Sequence, residues 1–98
     1  MTDRADATEG GKGWSPGEDV VADFAGDRLV LIHLATNRIF ELNPTGSRVW
    51  ELLRDGEDED GMVRRMLEEF DVPEDQLRDE IRSVIGRLVA ENLVVPNG

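Results

Sequence analysis

The side chains able to do chemistry are few. The chain has one histidine, His33, and no cysteine. A histidine works as a general base when a nucleophile and an orienting acid stand within hydrogen-bond reach. His33 instead sits inside the apolar run "RLVLIHL", which reads as a partly buried, hydrogen-bonded structural position. Lack of cysteine removes a thiolate nucleophile, a thiolate zinc site and a disulfide framework, and fits a reducing cytoplasm. Ser15, Ser47 and Ser83 lack the G-x-S-x-G context of a nucleophile elbow. The acidic "DGEDEDG" at 55–61 lacks the glycine and bidentate glutamate spacing of a calcium loop, so it reads as a solvated loop. "GGKG" at 10–13 lacks the Ser/Thr and the strand–loop–helix frame of a phosphate loop. No constellation supports catalysis, and no residue set asks for a metal or cofactor.

Charge narrows the partners. With 22 acidic against 11 basic residues the formal net charge is -11. Such a field repels phosphate backbones and anionic lipid surfaces, so neither nucleic acid nor membrane is an expected partner. No apolar run approaches the roughly 18–20 residues of a membrane span, and the N-terminal stretch lacks the apolar region of a signal peptide. The expected location is cytoplasmic. Arg78, Arg82 and Arg87 are interleaved with Asp75, Asp79, Glu80 and Glu91, the pattern of salt-bridged, solvent-facing arginines rather than a phosphate-contacting row. A winged-helix DNA-binding or transcription-partner protein is the alternative these helices keep open, against the acidic balance. A further alternative is a small structural or inhibitory subunit holding a basic partner through the loop 55–61.

Elements must position whatever binds. Residues 1–17 are rich in Gly, Asp, Glu and Thr without apolar periodicity, and read as a flexible N-terminal arm. Trp14 within it is read as loosely packed on the domain or exposed, or as a small docking contact. One domain follows, over 18–96. "DVVADFAG" and "RLVLIHL" read as strands separated by Ala25-Gly26-Asp27. The second is apolar on both faces, with Leu29, Leu31 and His33 on one and Val30, Ile32 and Leu34 on the other, which predicts a central place in the sheet. A tight turn at Asn37 leads to a third strand, "RIFELN", with Phe40 and Leu42 on one side and Ile39 and Glu41 on the other. Asn43 then caps a helix opened by Pro44, whose buried side is Val49, Trp50, Leu52 and Leu53. Met62, Val63, Met66, Leu67 and Phe70 form the apolar stripe of a second helix. Pro73 opens a third, longest helix with Leu77, Ile81, Val84, Ile85, Leu88 and Val89 as its apolar positions. "LVVP" closes as a short extended piece. The fold class is α+β, a winged helix-turn-helix-like arrangement in which a three-stranded antiparallel sheet precedes three helices.

A sheet of three strands has two edges, and an edge strand offers unpaired N–H and C=O groups to another chain. The third strand carries Arg38 and Glu41 but no internal proline. With the third helix lying across that edge, a guest peptide can add a strand and drop alternate side chains into the groove between them. Val84, Leu88 and Val89 are assigned to the core. Leu77 and Ile81, nearer the start of the helix, are read as groove or core.

The stretches "RIFELNPTGSRVWELL" and "MVRRMLEEFDVPEDQLRDEIRSVIGRLVAENLV", joined by a short acidic loop, resemble the PqqD-like proteins, the RiPP recognition elements of ribosomal peptide pathways. The resemblance covers roughly residues 18–96, and the standalone acidic form looks most like the leader-binding protein of lasso-peptide biosynthesis. It implies a non-catalytic, metal-free and cofactor-free protein that binds a precursor's leader segment as an added strand. It also implies presentation of the precursor to a leader peptidase and a cyclase, or to another modifying enzyme. Carried onto this chain, the peptide-binding residues are Arg38, Ile39, Phe40, Glu41 and Leu42 on the strand and Leu77, Arg78, Ile81 and Ile85 on the helix, with Arg82 at the rim. The protein is expected to be a monomer, or a dimer paired through the free edge when no guest is present.

Overall fold

The computed structural model describes residues 13–96. Strands β1 (Trp14–Pro16), β2 (Val20–Ala25), β3 (Arg28–His33) and β4 (Arg38–Leu42) precede helices α1 (Pro44–Arg54), α2 (Glu59–Leu67) and α3 (Glu74–Ala90), and β5 (Val94–Pro96) closes the described chain. The expected three-stranded antiparallel sheet is β2–β3–β4, with β3 in the centre. The strand anticipated as third is thus β4, because β1 lies within the stretch read as a flexible arm. Residues 14–16 are paired antiparallel with β5, Trp14 opposite Pro96 and Pro16 opposite Val94. Gly17 N–H continues this clip by donating to Leu93 O at 2.9 Å. The composition around Trp14 is that of an arm, but the apolar tail "LVVP" offers a local strand partner. The remainder of the expected arm, 1–12, lies outside the described residues.

Local chemistry sets the element ends. Gly26 supplies the positive φ (71°) of the two-residue β2–β3 turn, and Asn37 (φ 59°) that of the β3–β4 turn. Asn43 caps α1, its side chain accepting from Gly46 N–H at 2.8 Å, with Pro44 at the first helical position. A Cβ at Gly46 would stand 3.3 Å from both Asn43 Oδ1 and Leu42 Cβ, so the small residue lets cap and strand end approach. Asp58 caps α2 in the same way, and Glu59 and Asp60 sit in its positive first turn. Helix α3 ends in a left-handed Asn92 (φ 60°). The Asn92 N–H donates to Val89 O and the Leu93 N–H to Leu88 O, the paired bonds of a Schellman turn. That reversal sends Leu93 back beneath the helix, where it is buried.

The core joins the inner face of the sheet (Leu29, Leu31, Phe40, Leu42) to α1 (Val49, Trp50, Leu52, Leu53), α2 (Met62, Val63, Met66) and α3 (Leu77, Ile81, Ile85, Leu88). His33 is buried on the same face, but its Nδ1 has no hydrogen-bond partner among the described residues, contrary to the bonded histidine expected. Strand β2 is largely exposed and projects as the wing. No helix among the described residues is long and apolar enough to cross a membrane.

Candidate functional site

The pairing parity decides which backbone groups of β4 are free. Residues that oppose each other in an antiparallel ladder alternate between exchanging hydrogen bonds and turning those groups away. The two-residue turn at Gly26-Asp27 makes Ala25 and Arg28 a bonded pair, so even-numbered β3 residues bond toward β2. Leu34 N–H donating to Asp19 O at 2.8 Å follows the same parity. Odd-numbered β3 residues therefore bond toward β4, through Leu31–Phe40 and His33–Arg38. At the Leu29–Leu42 end a serine bridges the ladder. Leu29 N–H donates to Ser47 Oγ at 2.9 Å, and that hydroxyl donates to Leu42 O at 3.2 Å. It follows that Ile39 and Glu41 turn their N–H and C=O groups outward, to an edge that no described strand covers. Their side chains face solvent, Ile39 being 69% exposed, while Phe40 and Leu42 point inward.

Helix α3 runs antiparallel beside this edge. Arg38 at the start of β4 meets Glu91 past the end of α3, Nη1 to Oε1 2.8 Å, with its guanidinium 5.0 Å over the Phe40 ring. Beside the Asn43 end of the strand lies a cleft of about 220 Å³, floored by Phe40, Leu42, Leu88 and Leu93 and walled by Val84 and Arg87. A shallower continuation past the end of β4 is lined by Thr45, Glu80 and Ser83. Glu80, Ser83, Val84, Arg87, Leu88 and Glu91 follow the spacing of one helical stripe.

Several residues expected on the helix wall are placed elsewhere. Leu77 and Ile81 are 1% and 0% exposed, and Ile85 is buried with them. They form the core stripe, because i, i+4, i+8 spacing puts them under the helix rather than beside β4. Arg78 and Arg82 lie on the flank of α3 roughly opposite the cleft. Arg78 Nη1 is 2.6 Å from Glu59 Oε2 and 2.9 Å from Asp60 Oδ1, and Arg82 Nη2 is 3.0 Å from Glu59 Oε2. Hydrogen bonds from Arg82 and then Arg78 hold the Glu59 carboxyl below its ordinary range; Asp60 and then Glu59 raise the Arg78 guanidinium pKa, and Glu59 raises that of Arg82. These arginines join α3 to α2. Val84, assigned to the core, is only half-buried and lines the cleft, Leu88 serves core and cleft together, and Val89 is partly exposed. On the strand, Phe40, Glu41 and Leu42 border the cleft, Ile39 contributes the open backbone, and Arg38 ties the start of β4 to Glu91.

Sequence reasoning missed Ser47, Arg87 and Leu93 as parts of this site. Leu93 was legible as the residue following a left-handed asparagine, which must turn back toward the helix. The bridging role of Ser47 depends on how α1 crosses the strand ends and leaves no local mark. Among the described residues no His, Cys, Asp and Glu group is arranged to hold a metal.

Comparison with known proteins agrees with this architecture. The family described as Coenzyme PQQ synthesis protein D (PqqD) matches residues 28–94. No curated protein matches in sequence. Two solved structures are similar. One, TbiB1 in complex with the TbiA(beta) leader peptide, is 29% identical, with a TM-score of 0.77 over 82% of this chain and 93% of that one. The other, lasso peptide synthetase B1 complexed with the leader peptide, is 16% identical and shares the fold, with a TM-score of 0.78 over 85% and 98% of the two chains. The family match spans more than half of the chain, from the first residue of β3 to the first of β5, and takes in both the open strand and the helix beside it: this chain belongs to the PqqD family and is a PqqD-like RiPP recognition element.

Proposed function

We propose that this protein binds the leader segment of a ribosomally made precursor peptide by strand addition to β4, and presents it to the enzymes of a lasso-peptide pathway. The observation that carries the reading is the open edge of β4 beside the α3 cleft. A guest strand antiparallel to β4 exchanges backbone hydrogen bonds with Ile39 and Glu41. Its residues opposite Phe40 and Leu42 then point into the cleft between β4 and α3, which has room for one large apolar side chain. The guest's N-terminal end lies near Asn43 and its C-terminal end near the Arg38–Glu91 bridge. A peptide bound this way leaves its remaining length free for a leader peptidase and a cyclase. The leader-bound state of TbiB1 supports the choice of ligand class.

The test is Val84→Glu, measured with a fluorescein-labelled leader of the precursor encoded with this protein. The half-buried Val84 tolerates a carboxylate that reaches solvent, so the thermal melt stays cooperative while a charge enters the cleft wall. Binding is expected to fall at least tenfold, the effect of about 1.4 kcal/mol. Unchanged affinity in the folded variant would remove the cleft from the binding site.

A further inference from the structure

We infer that Arg28 and Arg87 form a carboxylate-recognition point at the mouth of the cleft, so that the guest carries an Asp or Glu at a fixed offset from its apolar anchor. The inference rests on the strand-addition reading above and adds a specificity to it. Both arginines border the cleft, Arg28 from the start of β3 and Arg87 from α3. Among the described residues neither has a carboxylate within the 4.0 Å of an ion pair, whereas Arg38, Arg48, Arg65, Arg78 and Arg82 each have one at 3.3 Å or less. Of the nine described arginines six have an acid within that distance, Arg54 only at 4.0 Å from Asp55, so two left bare beside one apolar cleft stand out. Arg64, on the exposed side of α2, is the other described case.

The neighbouring acids do not supply the lack. Glu91, one helical turn beyond Arg87, is held by Arg38 at 2.8 Å. Glu41 borders the same cleft but reaches neither guanidinium within ion-pair distance. Two cations therefore face one uncommitted acid beside an apolar floor. An arginine fork matches a carboxylate in two parallel N–H···O bonds. A guest strand laid over Phe40 and Leu42 excludes water there and strengthens such bonds. The net charge of -11 points to a basic guest, but it acts over distances that salt screens beyond about 10 Å at 0.1 M. Contact at the cleft mouth decides the local preference.

The experiment pans a displayed random twelve-residue peptide library against the full-length protein and against the Arg28→Gln/Arg87→Gln double variant, which keeps the apolar stems. The wild type is expected to enrich peptides with an apolar anchor and an Asp or Glu at one offset. Resynthesised with Asn or Gln at that position, they should bind the wild type about tenfold more weakly, as expected for one charge-assisted bond, and the double variant with little change. Cleft binders without an acid, or the same acid enriched by the double variant, overturn this inference and leave strand addition standing. A library yielding no binder, or only binders indifferent to Val84→Glu, overturns both.

Discussion

A proline placed at the two parities of β4 separates the ladder's inner bonds from its outer ones. Ile39→Pro removes an N–H that points to the open edge, where proline is tolerated. Ile39 is 69% exposed, so little packing is lost. Residue 38 is already extended, the conformation that a following proline requires. The domain should lose about 1 kcal/mol or less, a fall in Tm of about 4–8 °C at most for a chain of this size. The guest fares worse. It loses one backbone hydrogen bond, worth about 0.5–1.5 kcal/mol, and one of its carbonyls is left facing a pyrrolidine ring. Together these come to about 2 kcal/mol, or a factor of about 30 in Kd. Ile39→Ala, which keeps the N–H, should bind nearly as the wild type does. Phe40→Pro removes the N–H that faces β3 and should unfold the sheet. Fluorescence polarisation with a labelled leader, read beside circular dichroism melts, measures both effects. Equal affinities for Ile39→Pro and Ile39→Ala would refute the backbone pairing. A folded Phe40→Pro protein would refute the parity itself.

Other perturbations test the supporting structure. Ser47→Ala leaves the buried Leu29 N–H and the Leu42 carbonyl without their bridge and should destabilise by about 1–3 kcal/mol in urea unfolding. Ile81→Glu places a carboxylate at a position with 0% exposure and should abolish the cooperative melt that Val84→Glu retains. Glu59 and Glu69, bonded by Arg82 and Arg48 respectively, are held below the ordinary value of 4.5 in the folded state. Their contribution to stability is therefore complete above about pH 4.5 and is lost as pH falls through the lower folded-state values. Glu59→Gln should flatten the acid limb of Tm against pH. Trp14→Ala should lower Tm modestly by loosening β1, and if Trp14 acts only through β1 should leave leader affinity unchanged.

Much of the fold could be read locally, and the site only in part, for one physical reason. Turns, caps and strand faces are set by residues adjacent in the chain. Asn43-Pro44, Gly26 and the alternation of Phe40 and Leu42 against Ile39 and Glu41 stand as their side-chain chemistry requires. The surface that α3 offers to β4 is set by the rotation of the helix about its axis, and that depends on every neighbour at once. Its apolar residues are compatible with more than one buried face. Leu77, Ile81 and Ile85 cover α1 and α2 beneath the helix, while Val84 and Leu88 lean toward the sheet edge. Packing against α1 and α2 resolves the choice. Glu59 and Asp60, in the first turn of α2, pair with Arg78 and Arg82 on one flank and favour, only weakly for such partly exposed pairs, the rotation that the buried stripe sets. The opposite flank, with Arg87 uncompensated, is left beside the open strand. Two acids of the stretch that read as a solvated loop thus stand in the first turn of α2 and tie it to α3, on the flank away from the cleft.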